Sequence, residues 1–242
     1  MKKIIPLLLF TLLISCSPES DSNPIPSPTP SLKLTKVVET YSSYSYTHNF
    51  IYSGDVLSRI ETIESPGNNT SKTEYNYVNN KLQSESFYDN GVLSGTIAYS
   101  YTGELITSSL SNEGGIINTT NYTYNSSKQM INAKQYDNGN LVDNEDIEYN
   151  AQGNISKRSD VTASFYTTYE YDTNKNPYSL ILNDAVMKIF DDEYCKNNAT
   201  KRTDSYGSIT TYEYVYNDNG YPTQKIEKRN GLISLITMFT YN

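Results

Sequence analysis

The amino-acid sequence predicts an all-β protein: an antiparallel up-and-down meander of about sixteen strands, built from β-hairpin repeats and curved into a sheet or half-barrel. Three observations carry that expectation. An aromatic-x-aromatic pair recurs at Phe50/Tyr52, Tyr75/Tyr77, Tyr99/Tyr101, Tyr122/Tyr124, Tyr169/Tyr171, Tyr214/Tyr216 and Phe239/Tyr241, with Ile147/Tyr149 filling the missing place. Successive second members lie 25, 24, 23, 25 and 22 residues apart up to Tyr171, then 45 and 25, and the 45 reads as two periods. A fixed period of about 24 marks a repeat architecture whose single unit cannot bury its apolar face alone. Each unit also carries two turn signals. One follows the aromatic pair, as in Ser53-Gly54-Asp55, Asn79-Asn80-Lys81 and Asp218-Asn219-Gly220, and the other sits mid-unit, as in Asp89-Asn90-Gly91, Asp137-Asn138-Gly139 and Asn230-Gly231. Asn, Asp and Gly accept the positive φ of tight hairpins, so each unit becomes two antiparallel strands. Between turns the pattern alternates: Leu93-Gly95-Ile97-Tyr99-Tyr101 makes one face apolar or aromatic, while Ser94-Thr96-Ala98-Ser100 faces away. Strands of that kind are half-buried in an antiparallel sheet. Closure into a barrel, a half-pipe and an open sheet all fit this pattern.

The elements follow in chain order. Met1-Lys2-Lys3 and the apolar run Ile4 to Ile14, too short for the ~20 residues that span a bilayer, read as a signal peptide over 1–15. Residues 16–34 begin with Cys16 and continue as a Pro/Ser-rich segment with little to bury, expected to be an extended tether. The repeat domain takes 35–242. Within it, 177–194 lacks a tight-turn pair, and Leu182, Val186, Ile189 and Phe190 fall at helical spacing. This predicts a helix at about 180–192 packed on the aromatic face, the alternative being one more irregular strand pair.

Leu13-Ile14-Ser15-Cys16 resembles the lipobox of bacterial lipoproteins, which implies acylation of the Cys16 thiol and anchoring of the new N-terminus in a membrane. Glu19 and Asp21 resemble the acidic signals that send some lipoproteins to the outer surface. Units such as Tyr124-Asn125, Tyr136-Asp137-Asn138-Gly139 and Tyr149-Asn150-Ala151-Gln152-Gly153 are similar to the YD repeats of RHS-type proteins. Lipobox, tether and degenerate YD-like repeats together resemble cell-envelope lipoproteins carrying domains of unknown function. The chain has few true Tyr-Asp pairs and too few repeats for a large RHS shell, so toxin encapsulation is not implied.

Composition removes several function classes. The 242 residues include one His, two Cys, no Trp and 24 Tyr, against six Phe. That excludes a His- or Cys-rich metal site and a disulfide framework, and no cofactor motif is present. A formal charge of −8 argues against a nucleic-acid partner. Without Lys2 and Lys3 the count is 17 positive against 27 negative residues, about −10, which favours solubility beside a membrane. His48 is the sole candidate general base, Cys195 the sole thiol apart from Cys16, and both read more simply as structural residues. Asp143, Glu145, Asp146 and Glu148, and Asp191, Asp192 and Glu193, lack calcium-loop spacing, so no metal is expected.

The expected role is therefore non-catalytic, binding or structural, in the cell envelope, with the membrane as partner through the acyl chains and a glycan, a lipid or another envelope protein as further partner. A carrier of an apolar ligand and a carbohydrate-binding module are the alternatives, with a hydrolase centred on His48 behind them. If a ligand is bound, the candidate ligand-facing aromatics are Tyr75, Tyr77, Tyr99, Tyr101, Tyr122 and Tyr124. Their even spread also suits cross-strand scaffolding, and the Tyr excess over Phe implies an aromatic face that is only partly dry.

Overall fold

The structure is a computed structural model that describes residues 31–181 and 195–242. Sixteen strands follow one another: β1 (Leu34–Thr40), β2 (Ser45–Ser53), β3 (Val56–Ser65), β4 (Thr70–Val78), β5 (Lys81–Asp89), β6 (Val92–Thr102), β7 (Leu105–Glu113), β8 (Ile116–Tyr124), β9 (Met130–Asp137), β10 (Asn140–Tyr149), β11 (Ile155–Asp160), β12 (Phe165–Lys175), β13 (Asn197–Asp204), β14 (Ile209–Tyr216), β15 (Pro222–Arg229) and β16 (Leu232–Tyr241). Each pairs antiparallel with the next, and β1 pairs with β16 through Val37 opposite Phe239, so the sheet closes into a barrel with no free edge. The all-β meander of sixteen hairpin-linked strands is as the sequence predicts. Three mouth-end hairpins turn on Asn-Gly with both residues at positive φ, at Asn90-Gly91, Asn138-Gly139 and Asn230-Gly231, the type I′ geometry that matches strand twist.

The aromatic pairs end the even-numbered strands, so all eight gather at one end of the barrel. The termini of the barrel meet there too: the Asn242 backbone N–H donates to the Lys33 carbonyl at 3.2 Å. The construction at this end repeats. The second tyrosine of a unit sends its hydroxyl to the backbone carbonyl that opens the hairpin strand of the unit before it: Tyr101 to Leu82 at 2.8 Å, Tyr124 to Ile106 at 2.6 Å, Tyr149 to Met130 at 2.7 Å. The series runs through the closure, with Tyr241 on Pro222 at 2.6 Å and Tyr52 on Leu34 at 2.8 Å. The residues whose carbonyls accept these bonds are themselves sealed, Leu34, Leu82, Ile106 and Met130 among them, and form an apolar ring inside the barrel. Just past each such residue a β-bulge inserts, as between Ser100 and Tyr101 against Ile106, which lets strand and turn curve around the barrel end. The Asn after the tyrosine then caps the loop: the Asn125, Asn150 and Asn217 side chains each accept two backbone N–H bonds at 3.0 Å.

Two expectations need correction. The 45 residues between Tyr171 and Tyr216 hold one repeat, β13 and β14, plus an insertion after β12, not two periods. Leu93 does not share the inner face with Gly95, Ile97, Tyr99 and Tyr101. A bulge between Phe87 and Tyr88 in the β5–β6 pairing shifts the register and leaves Leu93 opposite Tyr88, 55% exposed. The insertion begins with a single 3-10 turn, Pro177–Leu180, which Asn176 caps by accepting from the Tyr178 backbone N–H at 2.9 Å. Tyr178 and Ile181 pack inside the barrel on Leu34, Val37, Phe50, Leu57 and Phe239. All but the start of the helix expected at about 180–192 lies outside the described residues, as do the signal peptide, Cys16 and nearly all of the tether.

Candidate functional site: the lumen

Because cross-strand partners share a face, the register assigns every side chain to the lumen or to the outer wall. The ring half of the lumen is dry. Tyr75, Tyr77, Tyr99, Tyr101, Tyr122 and Tyr124 all point inward here and pack with Leu82 and Ile106 or with Met130. Their hydroxyls serve the scaffold: besides Tyr101 and Tyr124, Tyr99 donates to Glu85 Oε1 at 2.6 Å, and Tyr122 lies 2.8 Å from Ser109 Oγ. Glu85 is 4% exposed. Burial pushes its carboxyl above the usual range, and the Tyr99 bond only partly offsets this. Burial likewise raises the Tyr99 and Tyr124 phenols.

The other half of the lumen is wet and lies against β10–β16 and β1. Two cavities of about 260 Å³ adjoin there and share Arg202. The first is floored by Asn176, Pro177 and Tyr178 and rises past Tyr212, Tyr214 and Lys225 to Tyr41 and Arg229 at the far rim. The second is walled by Arg158, Asp160, Phe165, Thr167 and Tyr169. Arg158 is held bidentate by Glu145, at 2.6 and 2.5 Å. Arg229 Nε bonds Glu227 at 2.8 Å. Aromatic rings beside fixed cations and carboxylates give a surface that can stack on a flat polar ligand and hydrogen-bond its edges. The lining aromatics are thus Tyr41, Phe165, Tyr169, Tyr178, Tyr212, Tyr214 and Phe239, a different set from the six singled out by the repeat. One signal for this wall is in the sequence. In Ser156-Lys157-Arg158-Ser159 and Thr200-Lys201-Arg202-Thr203 both alternate positions are polar, as a strand wetted on both faces requires.

His48 faces the lumen, half-buried. Its Nδ1 lies 2.9 Å from Thr62 Oγ1, and Nε2 lies 3.9 Å from Glu39. The imidazole is the main influence that draws the Glu39 carboxyl below its usual range. Hydroxyl and imidazole meet because His48 and Thr62 are register partners on β2 and β3, and the carboxylate joins them diagonally, Glu39 lying two residues beyond Val37, the partner of His48 on β1. His48 is not among the residues lining either cavity. The acids of β10 split, Asp143 and Glu145 inward, Asp146 and Glu148 outward, while Asp191–Glu193 lies outside the described residues. Cys195 is buried before β13, with its Sγ 3.3 Å from the Tyr171 hydroxyl.

The outer wall carries charged pairs. Arg59 pairs with Glu61 at 2.7 Å, Lys72 with Glu74 at 2.6 Å, Lys201 with Glu170 at 2.8 Å and Lys228 with Glu213 at 2.5 Å.

No protein-family model and no curated protein matches the chain. Among solved structures it is similar to a porin-like protein from Bacteroides uniformis, with a TM-score of 0.62 and 15% identity over 89% of this chain and 98% of that one. At that identity the likeness concerns the barrel fold.

Proposed function

We propose that the chain is a non-catalytic cell-envelope lipoprotein, anchored through acyl chains on Cys16, whose barrel stands in water and holds a polar ligand in its lumen. The charged outer wall carries this reading. A cation facing lipid at the bilayer midplane costs roughly 2–4 kcal/mol, so Arg59 and Lys201, both mid-strand on the outer wall, would together consume a large part of the ~5–15 kcal/mol that holds a domain folded. A porin is apolar outside and wet inside; here the outer wall carries ion pairs beside its exposed aliphatics and the apolar ring is internal. The cavity lining favours a glycan or similar polar molecule over an apolar cargo, since its tyrosines stand among Arg, Lys and Glu side chains.

Cys16→Ser should move the protein from the membrane to the soluble fraction without detergent, and fatty-acid labelling of the wild type should vanish with it. The soluble chain should bind on a glycan array, and Tyr212→Ala should abolish that binding with the melting temperature unchanged. Ion conductance in planar bilayers, or a Cys16→Ser chain that needs detergent, would overturn the water-soluble barrel. Displaceable binding of a fluorescent fatty acid with no glycan bound would make the lumen an apolar carrier.

A further inference from the structure

Hairpins at the two ends of the barrel carry the same sequence signal, a turn followed by aliphatic residues, and fold it in opposite ways. At the ring end the aliphatic residue after the turn is sealed inside, as at Leu57, Leu82 and Ile106. At the mouth, the end opposite the ring, it points to solvent. Val92, Ile116 and Leu232 are 70%, 61% and 76% exposed, and Tyr206, on the β13–β14 turn, is 84% exposed. Leu93, Ile117 and Ile233 follow down the outer wall, and Leu141 and Val161 continue the circle. Exposed aliphatic residues repeated on successive hairpins at one end of the barrel mark a contact site.

The circle's form and its flank identify the contact. Apolar tips around the rim of a cylinder meet a flat apolar phase all at once, whereas a protein partner must supply a matching ring. Beside these aliphatics stand amphipathic aromatics: Tyr88 pairs with Leu93, Tyr136 with Leu141, and Tyr166 lies on the same outer wall. Lysines flank them, Lys72 Nζ at 4.1 Å from the Tyr88 ring centre and Lys157 Nζ at 5.0 Å from that of Tyr166. Exposed aliphatics edged by tyrosine and lysine are the side chains that suit a membrane–water interface, the rings at headgroup level and the ammonium groups reaching to phosphate.

We propose that the mouth rim is a bilayer-docking surface, its hairpin tips entering the acyl boundary of one leaflet while Tyr88, Tyr136 and Tyr166 and the lysines sit among headgroups. Asp89, Glu113, Asp137 and Asp160 line the inner side of the same rim, so the surface suits zwitterionic lipid and gains nothing from anionic lipid. Docked in this way, the luminal cavities face the headgroup layer. The docking does not require the acyl anchor proposed above, but the two are compatible.

The chain with Cys16→Ser, which cannot be acylated, is floated with phosphatidylcholine vesicles, so that the result is independent of the anchor. It should float with them, less when phosphatidylserine is added. Ile116→Asp with Leu232→Asp should lower the bound fraction by on the order of tenfold. Ser100→Asp, low on the outer wall, should leave binding unchanged, and near-ultraviolet circular dichroism should confirm that all variants are folded. Absence of flotation, or flotation indifferent to the rim variant, would overturn the proposal. A doubled mass that collapses in the rim variant, without vesicle binding, would assign the rim to a second copy of the chain instead.

Discussion

Glu85 is a carboxyl buried inside the barrel, and its cost can be read by removing the group that serves it. The Tyr99 hydroxyl bonds Glu85 Oε1 at 2.6 Å inside the dry half of the lumen. Tyr99→Phe keeps the ring, so no cavity opens and the lost bond is isolated. Glu85 is held above its ordinary value of 4.5 by burial, so the folded state keeps a proton that the unfolded chain releases. Stability from this site is therefore fully present below about pH 4.5 and is lost as pH rises toward the folded value. In acid, Tyr99→Phe removes a bond to a neutral acid, worth roughly 0.5–1.5 kcal/mol; once Glu85 ionises, the bond serves a charge and is worth roughly 1.5–3 kcal/mol. Glu85→Gln removes the ionisation and should flatten the decline in stability above pH 4.5. Urea melts of wild type, Tyr99→Phe, Glu85→Gln and the double variant from pH 4 to 8 measure all three. If Tyr99→Phe costs the same at both ends of that range, or Glu85→Gln leaves the slope intact, Glu85 does not titrate as its burial requires.

The tyrosine ring should behave as a set of equivalent brackets: Tyr101→Phe, Tyr124→Phe and Tyr149→Phe should each cost roughly 0.5–1.5 kcal/mol, lowering the melting temperature by about 2–4 °C per kcal/mol, as calorimetry would show. Burial pushes Tyr77 and Tyr149 up to about 12, and burial with Glu39 nearby does the same for Tyr41. The folded state therefore holds phenol protons that the unfolded chain releases near pH 10, so stability should fall from pH 10 to 12, with absorbance at 295 nm rising as the strand signal is lost. Gly95→Ala on β6 should destabilise, because a Cβ there would meet the Asn112 carbonyl at 3.2 Å and Glu113 Cγ at 2.8 Å; thermal melts would register it.

What the sequence makes legible, and what it hides, divides along physical lines. Strand number and hairpin pairing are local, carried by turn residues and period-two alternation, and the Tyr-Asn step after each even strand can be read directly. Closure is not local. Nothing in β1 or β16 alone distinguishes an edge from a partner, and the Tyr241 bond to Pro222 belongs to the same series as Tyr124 on Ile106. Bulges hide for a related reason: Ser94 and Leu93 look alternating, and only the two-against-one pairing with β5 turns Leu93 outward. The insertion hides because its length mimics one more period. The cavity wall escapes a search for apolar contrast because Arg158, Arg202 and Lys225 stand on strands polar on both faces, a pattern that reads as weak strand rather than as wet lumen.

The preference for Tyr over Phe follows from the same asymmetry. A barrel in lipid can leave its large apolar residues outside and fill its lumen with water. This barrel carries an internal apolar layer, and bulges at the ring free backbone carbonyls such as those of Leu82 and Ile106 beside it. Phe would pack there and leave the carbonyls unsatisfied, at roughly 1–3 kcal/mol each. Tyr packs with the same ring and reaches the carbonyl of the neighbouring hairpin. Tyr101, Tyr124, Tyr149 and Tyr241 thereby fasten the unit before each, and the chain returns on itself when Tyr52 reaches Leu34. At the mouth the aliphatic residues that follow the turns, Val92, Ile116 and Leu232, stand exposed instead of sealed.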